Sequence, residues 1–90
     1  MREIAYRPAF LRDAKRLKRK HYDMDALKTA IQNVADRKAD WLRQHYDHQL
    51  TGSLTAYREL HIEGDWLLLY TIEAEGTVVL ARTGSHDELL

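Results

Sequence analysis

The sequence predicts an α+β domain in which a helical hairpin packs on a largely antiparallel sheet, in the order β-α-α-β-β-β. Three observations indicate this class: helical periodicity between residues 8 and 34, three short apolar or alternating segments after residue 56, and glycines between those segments. Ninety residues leave room for one core, so we expect residues 1–90 to form a single domain.

The first third predicts one short strand followed by two helices. Residues 2–6 suit a strand, and a helix is predicted over residues 8–21, with Pro8 in its first turn, where a missing N–H does no harm. Asp23 is expected to cap the second helix, and the short connection predicts a hairpin. The apolar stripes of the two helices comprise Phe10, Leu11, Ala14, Leu17 and His21, then Met24, Leu27, Ile31 and Val34.

The remainder predicts a loop, three strands and a final helical turn. Residues 36–55 lack periodicity and are expected to form a surface loop with a helical turn at residues 39–45. Residues 57–63 alternate, residues 66–72 are apolar enough for a central strand covered on both sides, and residues 77–83 suit the last strand. Gly84 is expected to end that strand. Ser85 and Glu88 have capping-box spacing, which predicts a short C-terminal helical turn.

Composition restricts the classes of function. The chain has no cysteine and no apolar run near the ~20 residues of a membrane span, and we expect a cytoplasmic protein. The net charge of zero conceals a net +6 over residues 1–20 and −6 over the rest. This basic segment can be a solvated helix face, or it can bind RNA phosphates or an acidic protein segment. Its cations include Arg12, Lys15, Arg16, Lys18, Arg19 and Lys20.

The candidate functional residues are His48, His61, Asp65, Arg82 and His86. RNA cleavage by its own 2′-hydroxyl needs a base, an acid for the 5′-oxygen and a cation for the phosphorane charge. Histidine exchanges protons near neutrality, and the arginine fork matches phosphate oxygens, so neither metal nor cofactor is required. His86, expected at a helix N-terminus, is the candidate for the acid; as a plainer alternative, it is a tolerated first residue of that helix.

His61, Asp65 and His48 are assigned to the base side, because His61 and Asp65 bracket a predicted turn and a carboxylate can orient an imidazole. As a plainer alternative, they are solvated turn and loop residues. Which histidine takes the 2′-proton stays open.

Other residues also have two interpretations. Arg82 can hold the scissile phosphate, or it can form an ion pair with Glu59 or Glu63. Trp66 can stack on a base or pack in the core, and Arg58 is a weaker candidate phosphate contact. His45 and His48 have a spacing that suits two metal ligands on one helical turn, with His61 or Asp65 completing the set.

Several motifs, together with the order of elements, resemble the YafQ branch of the RelE/ParE toxin superfamily: residues 48–52 (HQLTG), 57–66 (YRELHIEGDW) and 81–86 (ARTGSH). The resemblance covers nearly the whole chain. It implies a type II toxin that cuts translated mRNA in the ribosomal A site. It also implies a cognate DinJ-like antitoxin, which neutralises the toxin and, in complex with it, represses their operon.

The resemblance also implies roles for individual residues. His48, His61, Asp65 and His86 fall on catalytic positions, Arg82 falls on a phosphate-binding position, and Trp66 lies beside them. One departure is Leu90, near which that branch usually has an aromatic residue, so base preference or rate is expected to differ.

A second class of function remains open. ParE-type relatives act on DNA gyrase without an acid–base set, so the fold alone does not decide the activity. A non-nucleolytic toxin or binding module is therefore the alternative, and the set of histidines argues against it.

Overall fold

The computed structural model describes residues 2–90 as a five-stranded mixed sheet with helices packed on it. A 3-10 turn at Gly52–Leu54 precedes the third strand. The elements in chain order are β1 (Ile4–Tyr6), α1 (Pro8–Arg19), α2 (Met24–Ala35), α3 (Ala39–Gln44), β2 (His48–Gln49), β3 (Arg58–Glu63), β4 (Trp66–Ile72), β5 (Val78–Ser85) and α4 (His86–Leu89).

The sheet has the order β1-β5-β4-β3-β2. Only β1 and β5 pair in parallel, and the other neighbours are antiparallel, which confirms the largely antiparallel sheet. The apolar segment β4 is the central strand, and its first five residues are buried. Within residues 2–90, every helix is too short or too polar to cross a bilayer.

The two long helices begin where the sequence predicts. Pro8 opens α1, and the Asp23 carboxylate accepts hydrogen bonds from the first turn of α2. The predicted stripe of α1 is wrong at two positions: Leu11 is exposed, and His21 lies beyond the helix with a φ of 65°. The core cluster between helices and sheet is Phe10, Leu17, Leu27, Ala30, Val34, Leu60, Ile62, Trp66, Leu68, Tyr70, Val78 and Leu80.

The expected loop over residues 36–55 contains regular structure. The helical turn predicted at residues 39–45 is confirmed as α3, but the loop prediction missed the edge strand β2. A strand of two residues cannot show a hydrophobic period. Its pairing with β3 is what places His48 directly opposite Glu59.

The prediction that Gly84 ends the last strand is wrong. Pairing with β4 carries β5 through Gly84 to Ser85. A Cβ at position 84 would lie 3.0 Å from Glu88 Oε1, so glycine leaves room for α4 to fold against the strand. The predicted capping box is confirmed, with Ser85 Oγ accepting from the Glu88 N–H and Ser85 N–H donating to the Glu88 carboxylate.

Candidate active site on the open sheet face

Strand pairing brings distant polar residues into one row. His48 lies opposite Glu59, Glu59 opposite Leu69, and Leu69 opposite Arg82, across β2, β3, β4 and β5. Side chains in such a row point to the same side of a sheet, and so does His61, two residues beyond Glu59. We call this side, opposite the helix-covered core, the open sheet face.

A buried carboxylate joins two of the candidate histidines. Glu59 is 5% exposed, and its Oε2 lies 3.3 Å from His48 Nε2 and 3.8 Å from His61 Nε2. His48 Nδ1 lies 2.6 Å from the Tyr46 carbonyl oxygen. Because a carbonyl only accepts, Nδ1 carries a proton, and Nε2 is the nitrogen that can exchange one with Glu59.

From the sequence, Glu59 is expected only as an alternative partner for Arg82, and its contact with the two histidines was not predicted. The available signal was the alternation of β3, which puts Glu59 and His61 on the same face. Glu59 Oε2 makes both contacts to the histidines. Its other oxygen, Oε1, is buried and has no hydrogen-bond partner among the described residues.

Asp65 contacts the other end of the site. Its Oδ1 accepts a hydrogen bond from the backbone N–H of His86 at 3.3 Å. The expected pairing of Asp65 with His61 is therefore wrong, since the imidazole of His61 faces Glu59 instead. Asp65 fixes the backbone at the start of α4, where His86 is the exposed first residue, as predicted.

Arg82 is held by an aspartate from the first helix. Its Nε and Nη2 donate to the two oxygens of Asp13 at 2.6 and 3.2 Å, so the alternative of an ion pair with Glu59 or Glu63 is wrong. Asp13 also accepts from Arg16 Nη1 and from the Thr83 N–H.

These bonds leave much of Arg82 free. Its side chain is 40% exposed beside a cavity of about 310 Å³ that Leu69, Tyr57 and Leu89 also line. The hydrogen bond to Asp13 raises the pKa of Arg82 despite opposing desolvation, so the guanidinium stays charged.

The charge of Asp13 depends on the same contacts. Burial alone would raise the pKa of its carboxyl group, but hydrogen bonds from Arg82, Arg16 and Thr83 outweigh burial and lower it. The sequence carried a signal for this residue, because a carboxylate at position 13 interrupts the buried stripe of Phe10 and Leu17.

Two other candidates are occupied by structural contacts. Arg58 donates twice to Asp47 Oδ2, at 3.2 and 2.6 Å, and the Tyr70 hydroxyl donates to the other oxygen of Asp47. Trp66 is 4% exposed, and its Nε1 donates to Thr83 Oγ1 at 2.8 Å. The packing alternative fits Trp66, because a base-stacking ring needs an exposed face.

The alternative of a metal site needs His45 and His48 on one helical turn, and the structure does not place them there. The helix α3 ends at Gln44, and His48 lies in β2. His45 stacks on Trp41 at 3.7 Å between ring centroids, with its Nδ1 2.8 Å from the Trp41 carbonyl oxygen. Within residues 2–90, no group of three or more histidine, aspartate or glutamate side chains is placed to hold a metal ion.

A family model described as a bacterial toxin of a type II toxin–antitoxin system matches residues 2–90. The mRNA interferase toxin YafQ of Escherichia coli K12 is 32% identical over 88 residues, which are 98% of this chain and 95% of that protein. The chain belongs to the YafQ family of these toxins.

Solved structures show the same fold over the whole chain. A metal-bound toxin from Helicobacter pylori has a TM-score of 0.90 and 34% identity, with all of both chains covered. The toxin of the E. coli DinJ–YafQ toxin–antitoxin complex has a TM-score of 0.87 and 31% identity, with 99% of this chain and 97% of that chain covered. The fold class predicted from the sequence is thereby confirmed.

Proposed function

We propose that this toxin is a ribosome-dependent mRNA interferase that cuts messenger RNA in the A site. The observation that carries the proposal is the open sheet face, where His48 and His61 converge on one buried carboxylate oxygen in a row that ends at Arg82. The E. coli relative is named an mRNA interferase, which agrees with this chemistry.

The proposed reaction proceeds by attack of the 2′-oxygen on the adjacent phosphorus. The cluster of His48, Glu59 and His61 takes the 2′-proton, and Glu59 holds the two imidazoles in place. Arg82 stabilises the phosphorane charge through the part of its guanidinium that Asp13 leaves exposed. The bond from phosphorus to the 5′-oxygen then breaks, and His86 donates a proton to that oxygen.

The basic side of α1 is proposed to contact ribosomal RNA and an antitoxin in turn. Its exposed cations are Arg12, Lys15, Lys18, Arg19 and Lys20, whereas Arg16 points inward to Asp13 and Glu88. A dense cluster of positive charge binds phosphates, and this binding weakens as the salt concentration rises. The solved complex of the E. coli relative with DinJ supports a DinJ-like antitoxin here, and operator DNA would be bound only through that complex.

The test is primer extension on mRNA in programmed ribosomes with purified protein. Wild type is expected to cut at a defined codon position, and His86→Ala is expected to cut at least 100-fold more slowly, because general acid catalysis contributes about 10²–10⁴-fold. Asp87→Ala, at the next exposed position of α4, is the matched control and should retain the wild-type rate.

Two outcomes would contradict parts of the proposal. Equal rates for His86→Ala and wild type would remove His86 from proton transfer. No cleavage by folded wild-type protein would favour a toxin that acts on a protein target such as DNA gyrase. A parallel reaction with EDTA tests whether the toxin itself needs a metal ion. At equal free Mg²⁺, which the ribosomes require, the proposed chemistry predicts the same cleavage rate with and without EDTA.

A further inference from the structure

Tyr46 is an exposed aromatic residue in an unfavourable backbone conformation. It is 71% exposed, and its φ of 58° lies in the left-handed region. For a residue with a Cβ this conformation costs about 1–2 kcal/mol. The same conformation occurs at His21 and Arg37, and each of these three residues follows the last turn of a helix, where a left-handed residue commonly ends the helix.

Tyr46 joins the end of α3 to the candidate active site. The Tyr46 N–H donates to the Arg43 carbonyl at 3.2 Å, and the Tyr46 carbonyl accepts from His48 Nδ1 at 2.6 Å. Its ring lies against the ring of His61, with centroids 5.7 Å apart and planes at 75°. The His61 N–H also donates to the carbonyl of His45, which ties β3 to this segment. The ring of Tyr46 is therefore held beside both histidines while most of its surface stays open.

We infer that Tyr46 is a nucleobase-stacking residue for the RNA whose 2′-hydroxyl is deprotonated by the cluster of His48, Glu59 and His61. This inference depends on the proposed nuclease function. The rings of Tyr46 and His61 are 5.7 Å apart, which places the tyrosine next to the cluster that would deprotonate the 2′-hydroxyl, where a neighbouring base can stack on it. Aromatic side chains bind bases by stacking, which is worth about 1–3 kcal/mol per base.

Other side chains near the site are less suited to this task. Trp66 is buried, and Tyr57 is only half-exposed in the cavity beside Arg82. Leu90 is 45% exposed but has no ring. Because every base has a π-face, stacking on Tyr46 adds affinity with little discrimination between bases.

The kinetic signature of such a contact is a change in affinity. A stacking contact made equally in the bound ground state and the transition state lowers the half-saturating concentration and leaves the maximal rate unchanged. Single-turnover cleavage of mRNA in programmed ribosomes, at varied toxin concentration, separates the two quantities. Binding of the same ribosomes is measured in a His86→Ala background, where mRNA stays intact.

The variants are chosen to separate stacking from structure. Tyr46→Ala is expected to raise the half-saturating concentration about 10-fold with an unchanged maximal rate, and Tyr46→Phe and Tyr46→Trp to stay within about 2-fold of wild type. Tyr46→Gly removes both ring and strain, so its melting temperature should equal or exceed that of wild type while its affinity falls. Tyr6→Ala is the control, since Tyr6 is 51% exposed on the opposite edge strand.

The outcomes distinguish this inference from the proposed function. If wild type cleaves and the half-saturating concentration is unchanged in Tyr46→Ala and Tyr46→Gly, the stacking role is overturned and the nuclease function stands. A Tyr46→Phe variant as weak as Tyr46→Ala also overturns it, because the ring would then not be the contact. Absence of both cleavage and saturable ribosome binding by wild type overturns the nuclease function and the stacking role together.

Discussion

Replacing Asp13 by alanine should destabilise the fold more than most substitutions of a polar residue in this chain. The residue is 3% exposed and accepts hydrogen bonds from Arg82, Arg16 and the Thr83 N–H. The buried Thr83 N–H would lose its acceptor, which lowers the free energy of unfolding by about 1–3 kcal/mol. The two guanidinium groups are partly exposed, so their bonds add only about 1 kcal/mol.

The expected total loss is therefore about 3 kcal/mol in the free energy of unfolding. For a chain of this size it corresponds to a fall of about 15 °C in melting temperature. Asp13→Asn, which can still accept from the Thr83 N–H, should lose about half as much. Urea unfolding measures both, with Asp25→Ala as a control at an exposed aspartate, expected within about 0.5 kcal/mol of wild type.

Two results would refute this reasoning. One is a loss below about 1 kcal/mol for Asp13→Ala. The other is simple additivity of Asp13→Ala and Arg82→Ala, because residues in direct contact should show a coupling energy of at least about 0.5 kcal/mol in a double-mutant cycle.

The contribution of Asp13 should also depend on pH. Its pKa is lowered from 3.8 in the folded protein, so the folded state prefers the ionised carboxylate. The stabilisation is complete above the unfolded pKa and is lost as pH falls through the folded value. The difference in stability between wild type and Asp13→Asn should therefore be constant near neutrality and shrink below about pH 4.

Two further changes test the assignments at Glu59 and Trp66. Glu59→Gln should lower the maximal cleavage rate about 10–100-fold with the fold retained, because the amide cannot serve both histidines as the carboxylate does, whereas the exposed Glu63→Gln on the same strand should cleave normally. An unchanged rate in Glu59→Gln would leave that carboxylate without a role in proton transfer. Trp66→Phe removes the donor to Thr83 Oγ1 and should lower the free energy of unfolding by about 1–2 kcal/mol without slowing cleavage. Slower cleavage by Trp66→Phe with an unchanged free energy of unfolding would instead support base stacking by Trp66.

Much of the candidate site could be expected from the sequence, but its pairings could not. His48, His61, Asp65, Arg82 and His86 were identified by residue type and by motif. Their partners were predicted from proximity along the chain, which favoured Asp65 for His61. The structure instead uses Glu59, because alternation along β3 places it on the face of His61, and neighbouring β2 adds His48.

The sequence by itself determined the class of fold, the position of the central strand, the Asp23 cap of α2 and the Ser85 capping box. These features depend on periodicity and on hydrogen bonds between residues a few positions apart, so short segments of the sequence are enough to predict them. Only the tertiary structure decided that Arg82 pairs with Asp13, 69 positions away, and that the two-residue strand β2 brings His48 to Glu59. Both depend on helix docking and strand register, which arise from packing of the whole core and leave little trace in any local segment.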